Sequence, residues 1–325
     1  MGVFYNHFHS QLFVQPAYPT RSFAGETVII TGSNVGLGKE AARHIARLGA
    51  SKLILAVRNV SAGEEAKKDI ENTTQCGRSV IEVWQLDLAS YESVKAFASR
   101  ASSLQRIDVL LENAGIATAQ WSMAEGHERT LTVNVISTFL LALLLLPKLK
   151  STAKQFNTEP RLTVVSSEVH GWIKFPEWND PNVFETLDNK EKAKASFGSR
   201  YPLSKLLEVL VVREIAPKLD GSGVILNYLN PGLCRTELGR EGNFALKILY
   251  AIRFARTTEV GGRTLVASAA AGRESHGKWM TDGKVNDNML APFPRSNDGK
   301  KASEKIWSEL AAIVENIQPG VTSNL

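Results

Sequence analysis

Six short runs of β-branched and aliphatic residues recur along the chain, at TVIIT (27–31), KLILAV (52–57), VIEVWQL (80–86), IDVLL (107–111), RLTVVS (161–166) and GVILNYL (223–229). Segments with apolar residues at helical spacing separate them, among them KEAARHIARLG, SVKAFASRASSL and SKLLEVLVVREIAPKL. Strand, helix, strand repeated this often argues for a parallel sheet with helices on both faces, a doubly wound α/β architecture. With 325 residues and 43% hydrophobic content the chain can bury one large core or two small ones, and no repeat or low-complexity linker divides it. We therefore expect a single domain over residues 25–315, an aromatic- and proline-rich arm over 1–24 lying on it, and a tail over 316–325. Residues 171–200, GWIKFPEWNDPNVFETLDNKEKAKASFGSR, are too long for an ordinary loop and read as an insertion within the domain, functional or mobile.

Several classes of protein fall away. The 38 Lys and Arg exceed the 33 Asp and Glu by five charges, which would suit a nucleic acid or an acidic membrane surface. The basic residues are scattered without a Lys/Arg-rich run, so no nucleic-acid partner is expected. Cys76 and Cys234 form no CxxC or metal-ligand spacing, which argues for a reducing compartment, no disulfide framework and no metal. MGVFYN places Asn6 where a myristoylation signal needs Ser or Thr, and the terminal SNL lacks the Lys of a peroxisomal SKL. Residues 1–24 lack the basic and long apolar regions of a secretory signal. The most apolar run, FLLALLLLP from Phe139 to Pro147, is shorter than the roughly twenty residues of a membrane span and reads as a buried helix. A cytoplasmic location without a transmembrane segment is the expectation.

TGSNVGLG, Thr31 to Gly38, follows the first strand run and opens the first helical segment. Amide N–H groups at a helix start, together with the helix dipole, make an anion site suited to a pyrophosphate. Gly32 permits a tight turn, Gly36 lets phosphates approach the backbone, and Gly38 allows the helix to pack close to the strand. The alternative is a glycine-rich turn without a ligand.

The spacing GxxxGxG after a first strand resembles the short-chain dehydrogenase/reductase family, and four further features follow in the family's order. They are LDL with Asp87, NAG with Asn113 to Gly115, VVSSE with Ser167, and YPLSK with Tyr201 and Lys205. LAVRN, PGLCRTEL and HGKWMTDGK look most like its retinol-dehydrogenase-like and fungal secondary-metabolism branch. The resemblance implies a Rossmann-type fold with a mainly parallel sheet and an oxidoreductase that interconverts a carbonyl and an alcohol. It implies cofactor contacts from Gly32, Ser33, Asn34, Gly36, Leu37 and Gly38, from Asp87 at the adenine, and from Asn113, Ala114 and Gly115 beside the adenine ribose. In PGxxxT, the backbone near Pro231 and Gly232 and the hydroxyl of Thr236 would contact the nicotinamide amide. Asp87 could equally cap the next helix. One family pattern is broken: the usual NNAG reads ENAG, with Glu112 in place of the first Asn.

Tyr201 and Lys205 are four residues apart in a helical pattern, so both project from one face and can act on one ligand. A free tyrosine titrates near pH ~10 and is a poor base at neutrality unless a cation favours its phenolate, which Lys205 supplies. The family also uses this Lys on the nicotinamide ribose. Ser167 would hydrogen-bond the substrate oxygen, with Ser166 as the alternative, and Tyr201 would give or take the proton while the cofactor carries the hydride. Without the surrounding motifs, a buried Tyr beside a snorkelling Lys would be the simpler reading. Asn134 matches the Asn that the family uses to hold a water relay to the lysine, or else closes a local helix irregularity.

Cofactor choice rests on AVRN at the end of the second strand. Val57 stands where an Asp would select NAD, and Arg58 can fork onto a 2′-phosphate, so NADP(H) is favoured over NAD(H). Residues 237–256 should form a lid with Phe244, Leu246, Ile248, Leu249 and Tyr250. Trp172, Phe175, Trp178 and Phe184 of the insertion would flank the same pocket. Together they favour a bulky apolar carbonyl or alcohol of polyketide-like, terpenoid or retinoid kind. The resemblance further suggests a homodimer or homotetramer through the helices near 126–150 and 201–219. An epimerase- or dehydratase-like activity would use the same acid/base pair, and a dormant cofactor-bound regulatory module would leave it idle.

Overall fold

The computed structural model describes residues 9–118, 120–193, 199–236, 238 and 255–325. Its centre is an eight-stranded sheet built from β1 (Thr27–Thr31), β2 (Lys52–Val57), β3 (Ile81–Gln85), β4 (Val109–Glu112), β5 (Arg161–Val165), β6 (Ile225–Asn230), β7 (Trp279–Thr281) and β8 (Lys284–Val285). The order is β8-β7-β6-β5-β4-β1-β2-β3. Neighbours are parallel from β3 through to β7, and only the edge strand β8 runs antiparallel. Chain order reverses between β1 and β4, so the ends of these two strands form the crevice where such sheets bind ligands.

Side-chain alternation divides the core into two layers. Ile29, Ile54, Leu110, Leu162 and Val164 face one layer of helices, α3 (Tyr91–Ser102), α4 (Ser137–Phe156), α6 (Arg200–Ile215) and α8 (Asn297–Ile317). Val28, Ile30, Leu53, Leu55, Val109 and Leu111 face the other, α1 (Gly36–Arg47), α2 (Val60–Thr74) and α7 (Thr258–Ala270). Both faces of the sheet are thus covered, as the alternating sequence requires.

The apolar run at Phe139 lies in a helix longer than the run itself. Helical structure extends over Arg129–Phe156, long and apolar enough by composition to cross a membrane, yet most of its apolar window is buried inside the protein. The segment Val321–Asn324 lies against α4, where Asn324 Nδ2 donates to Leu143 O at 3.1 Å and Lys150 Nζ to Asn324 O at 2.7 Å. In the same way α8 packs on α6.

The insertion is more ordered than its sequence suggests. It contains the turn Pro176–Asn179 and the helix α5 (Val183–Asp188). Both carboxylate oxygens of Glu309 on α8 accept at 3.0 Å, one from Val183 N and the other from Phe184 N, which ties α5 to the core. Phe175 and Phe184 are buried in that core, and Trp178 packs on it beside Phe293. The expectation that these three aromatics flank the pocket is corrected: they fill the layer under α8. Trp172 alone of the four is exposed, at 58%.

Candidate active site

β1 ends in Thr31, and the chain then turns sharply at Gly32 (φ +66°) and Gly36 (φ +62°) before entering α1. A Cβ at Gly32 would lie 2.9 Å from Ala114 Cα, and one at Gly38 would lie 2.5 Å from Asn113 Nδ2, so both glycines are forced by the chain's own packing. Gly36 is different, because a Cβ there would meet nothing within 4 Å. Its freedom from side chain leaves an open face. Helices α2, α3, α7 and α8 begin at side-chain caps from Asn59, Ser90, Thr257 and Ser296. α1 begins at Val35 with no side-chain cap, leaving its first-turn amides for another acceptor.

Neighbouring residues brace this loop. Ser33 Oγ donates to Ile30 O at 2.8 Å, and Thr31 Oγ1 accepts from the amides of Asn113 and Ala114 at 3.0 and 2.9 Å. Asn113 Nδ2 donates to Thr31 O and Gly32 O at 2.9 and 3.1 Å, so the side chain of the NAG motif holds the glycine turn. Asp87 Oδ1 accepts from Ala89 N at 2.9 Å in a local turn, while Ser90 is the residue that caps α3. Arg58 follows β2, is exposed, and makes no hydrogen bond or ion pair within the described residues. Asn34 and Leu37 are both half-buried, on the loop and at the helix start.

A second cluster gathers where β5 and α6 meet. Lys205 is buried, and its Nζ donates to Val165 O at 2.9 Å and Glu208 Oε1 at 2.7 Å. It stands 5.6 Å from the centre of the half-buried Tyr201 ring. The Ser167 side chain lies beside the Tyr201 phenol. Burial first, then the Glu208 carboxylate, push the phenol above its ordinary value, and the nearby Ser167 side chain pulls it back. The two serines now separate: Ser166 is buried with Oγ donating to Lys205 O at 3.0 Å, whereas Ser167 Oγ accepts weakly from Val169 N at 3.4 Å and meets Tyr201. Ser166 therefore braces the helix, and Ser167 is the one beside the phenol.

Asn134 lies in a π-helical turn, Thr132–Ile136, that leads into α4. The widened turn lets its side chain leave the helix, a common use of such turns at functional positions. Oδ1 accepts from Ile116 N at 2.8 Å, and Nδ2 donates to Ile116 O at 3.0 Å and Ser204 Oγ at 2.9 Å. Gly115 fits between this Asn and the lysine, since a Cβ there would come 3.3 Å from Asn134 Oδ1 and 3.7 Å from Lys205 Nζ.

At the end of β6, Asn230 Oδ1 accepts from Gly232 N at 3.0 Å and Glu168 N at 3.2 Å. Gly232 has φ +77°. The sequence reading passed over two residues that support this loop from outside. Gln11, in the helical residues 9–13 of the arm, receives Leu233 N at 2.9 Å and donates to Leu233 O at 3.0 Å. Arg256 reaches Pro231 O at 3.2 Å, Ser10 O at 3.0 Å, Val14 O at 2.9 Å and Asp282 Oδ1 at 2.6 Å. Thr236 is half-buried just beyond. The expected lid of residues 237–256, with Phe244 and its apolar neighbours, lies outside the described residues except for 238, 255 and 256.

Also passed over was Glu208, a lone acid in the apolar stretch of α6, and its position three residues after Lys205 was the available signal. Glu112, noted only as a departure, is buried at the end of β4 with both carboxyl oxygens unpartnered among the described residues.

Residues 26–167 match the family model described as short chain dehydrogenase. A short chain dehydrogenase/reductase from Cryptosporiopsis sp. is 50% identical over 323 residues, covering 97% of this chain and 98% of that protein. A short-chain dehydrogenase from Penicillium roqueforti is 48% identical over 325 residues, covering 96% and 84%. Among solved structures, the NADP active-site complex of RhlG from Pseudomonas aeruginosa matches with a TM-score of 0.60 at 20% identity, covering 82% of this chain and 97% of that one. At that identity the likeness concerns the fold, while the two fungal relatives span nearly the whole chain. The chain belongs to the short chain dehydrogenase/reductase family of oxidoreductases.

Proposed function

We propose that the protein is an NADP(H)-dependent enzyme that interconverts a ketone or aldehyde and an alcohol on a bulky apolar substrate, within a secondary-metabolite pathway. The observation that carries this reading is the Tyr201 ring standing 5.6 Å from the buried Lys205 ammonium, with Ser167 beside the phenol. In this arrangement Ser167 donates a hydrogen bond to the substrate oxygen. Tyr201 passes its phenol proton to that oxygen in reduction and takes it back in oxidation. Lys205 places a positive charge beside the phenolate formed, opposing the burial that otherwise disfavours it.

The residues present fit a dinucleotide. The open face at Gly36 and the uncapped start of α1 suit a pyrophosphate, to be held by Gly32, Ser33, Asn34, Gly36, Leu37 and Gly38. Arg58, exposed and without a partner among the described residues, suits a 2′-phosphate, which favours NADP(H). Asp87 would meet the adenine, Asn113 and Gly115 the adenine ribose side, Lys205 the nicotinamide ribose, and Pro231 and Thr236 the nicotinamide amide. When bound, the nicotinamide supplies or accepts the hydride. Asn134 would hold the backbone beside Lys205 and present its amide to a proton path.

The test is titration with NADPH and NADH, then a screen of hydrophobic ketones followed by loss of reduced-nicotinamide absorbance. Tight NADPH binding with turnover is expected, and Tyr201→Phe should lower kcat about 10²- to 10⁴-fold while cofactor affinity stays. Full turnover in Tyr201→Phe would sink the acid/base assignment. NADPH binding with no turnover across the panel would point instead to non-redox chemistry.

A further inference from the structure

Beside Lys205, two carboxyl groups are buried together. Glu112 ends β4, opposite Val164 of β5 and next to the strand residue Val165, whose carbonyl receives Lys205 Nζ. Glu208 sits one turn beyond Lys205 on α6. Their exposures are 3% and 2%. Glu208 Oε1 holds the ammonium at 2.7 Å, but its Oε2 and both oxygens of Glu112 lack any hydrogen-bond partner among the described residues. Lys205 is the only Lys or Arg bonded to either group among those residues. One cation therefore stands against two carboxyls, in a place where an uncompensated buried charge is heavily penalised.

We propose that Glu112 and Glu208 form a buried carboxyl pair carrying one proton, with Glu112 holding it and Glu208 ionised on Lys205, and that Glu208 thereby acts as a positioning residue that sets how much of the ammonium's charge reaches Tyr201. A proton on Glu112 leaves the cluster neutral and gives it a donor to offer the facing carboxyl, whose Oε2 lacks one. The same environment bears on the titrations. Burial and then the Glu208 charge hold Glu112 well above the carboxylate range, and burial lifts Glu208 to about 7 against the opposing pull of Lys205. The groups that face the pair are the Lys205 ammonium and the Ser166 hydroxyl, both toward Glu208, while Glu208, Glu168 and Cys234 act on Tyr201.

This inference rests on the Tyr201–Lys205 reading for its kinetic consequence but not for its first test. Infrared spectra of the wild-type protein at pH 8, where exposed carboxyls are ionised, should contain the C=O stretch of a protonated carboxyl group. Glu112→Gln should remove it. Absence of the band in wild type, or its survival in Glu112→Gln, would overturn the pair whatever the protein catalyses. The second measurement is the pH profile of kcat/KM. Because the Glu208 carboxylate opposes phenolate formation, the double variant Glu112→Gln/Glu208→Gln should move the Tyr201 limb toward acid by about one pH unit. An unmoved limb in a folded, cofactor-binding double variant would mean that the pair is structural only and does not act on Tyr201.

Discussion

Gly36 and Gly49 form a matched pair from which the place of the pyrophosphate can be measured. Both have positive φ, +62° and +86°, and a Cβ added at either would meet nothing within 4 Å. Alanine at each position therefore costs only backbone strain, about 1–2 kcal/mol for an L-residue in the left-handed region. In a chain of this size that lowers Tm by about 2–4 °C. The two sites differ in surroundings, since Gly36 opens the uncapped α1 and Gly49 follows its far end. If phosphates approach the backbone at Gly36, its new methyl group should weaken NADPH binding at least about tenfold, equivalent to ~1.4 kcal/mol. Gly49→Ala should bind within about twofold of wild type, which is ~0.4 kcal/mol. Urea unfolding measures the shared strain, and calorimetric titration with NADPH measures the difference. Equal affinities in the two variants would refute the placement, because strain alone would then account for everything seen at Gly36.

Further substitutions test separate parts of the site. Arg58→Ala should weaken NADPH about 10- to 100-fold and leave NADH nearly unchanged, since a charge-assisted bond of ~1.5–3 kcal/mol is lost only with the 2′-phosphate; equal effects on both would remove Arg58 from the cofactor site. Asn134→Ala strands both the N–H and the C=O of Ile116 and should cost about 2–4 kcal/mol in urea unfolding, whereas a loss under ~1 kcal/mol would mean that these bonds are replaced. Glu112 holds its proton more tightly folded than unfolded, so its contribution to stability falls as pH rises above the ordinary carboxylate value of 4.5. Glu112→Gln should therefore stabilise the protein increasingly with pH, by up to about 1.4 kcal/mol per unit, and a pH-independent difference would show that the buried carboxyl is not held protonated.

The first six strands could be read from the sequence because each is an apolar run whose neighbours are helical, and their sheet buries both faces. β7 and β8 could not, because WMT and KV are too short for a pattern and become strands only by pairing with β6 and with each other. The insertion aromatics show a second limit. Composition cannot distinguish a ring that lines a pocket from one that fills a core, and the deciding contact for Phe184 is Glu309, 125 residues away. Ser166 and Ser167 differ for a comparable reason: alternation along β5 points one inward to α6 and leaves the other at the strand mouth. Glu208 was visible in principle, because a charged residue in SKLLEVLVV cannot be buried without a partner and Lys205 lies one turn away. Which carboxyl opposes it from β4 depended on the sheet order.

The candidate site is held by side chains that fasten one strand end to the next. Thr31 binds the amides after β4, and Asn113 returns the contact to the glycine turn after β1. Asn134 secures the segment after Gly115 to α6 through Ser204, and Asn230 joins the turn after β6 to Glu168 after β5. All four are amides or hydroxyls meeting backbone groups that would otherwise be left without partners, so removing any one leaves an unmet polar atom as well as a lost bond. Such fastening fixes the positions of Gly36, Lys205, Tyr201 and Ser167 relative to one another, as the proposed transfer between a bound cofactor and a substrate would demand. None of these bonds involves residues 171–187, which are anchored separately through Glu309. Substitutions in that insertion, such as at the exposed Trp172, therefore leave these fastenings in place.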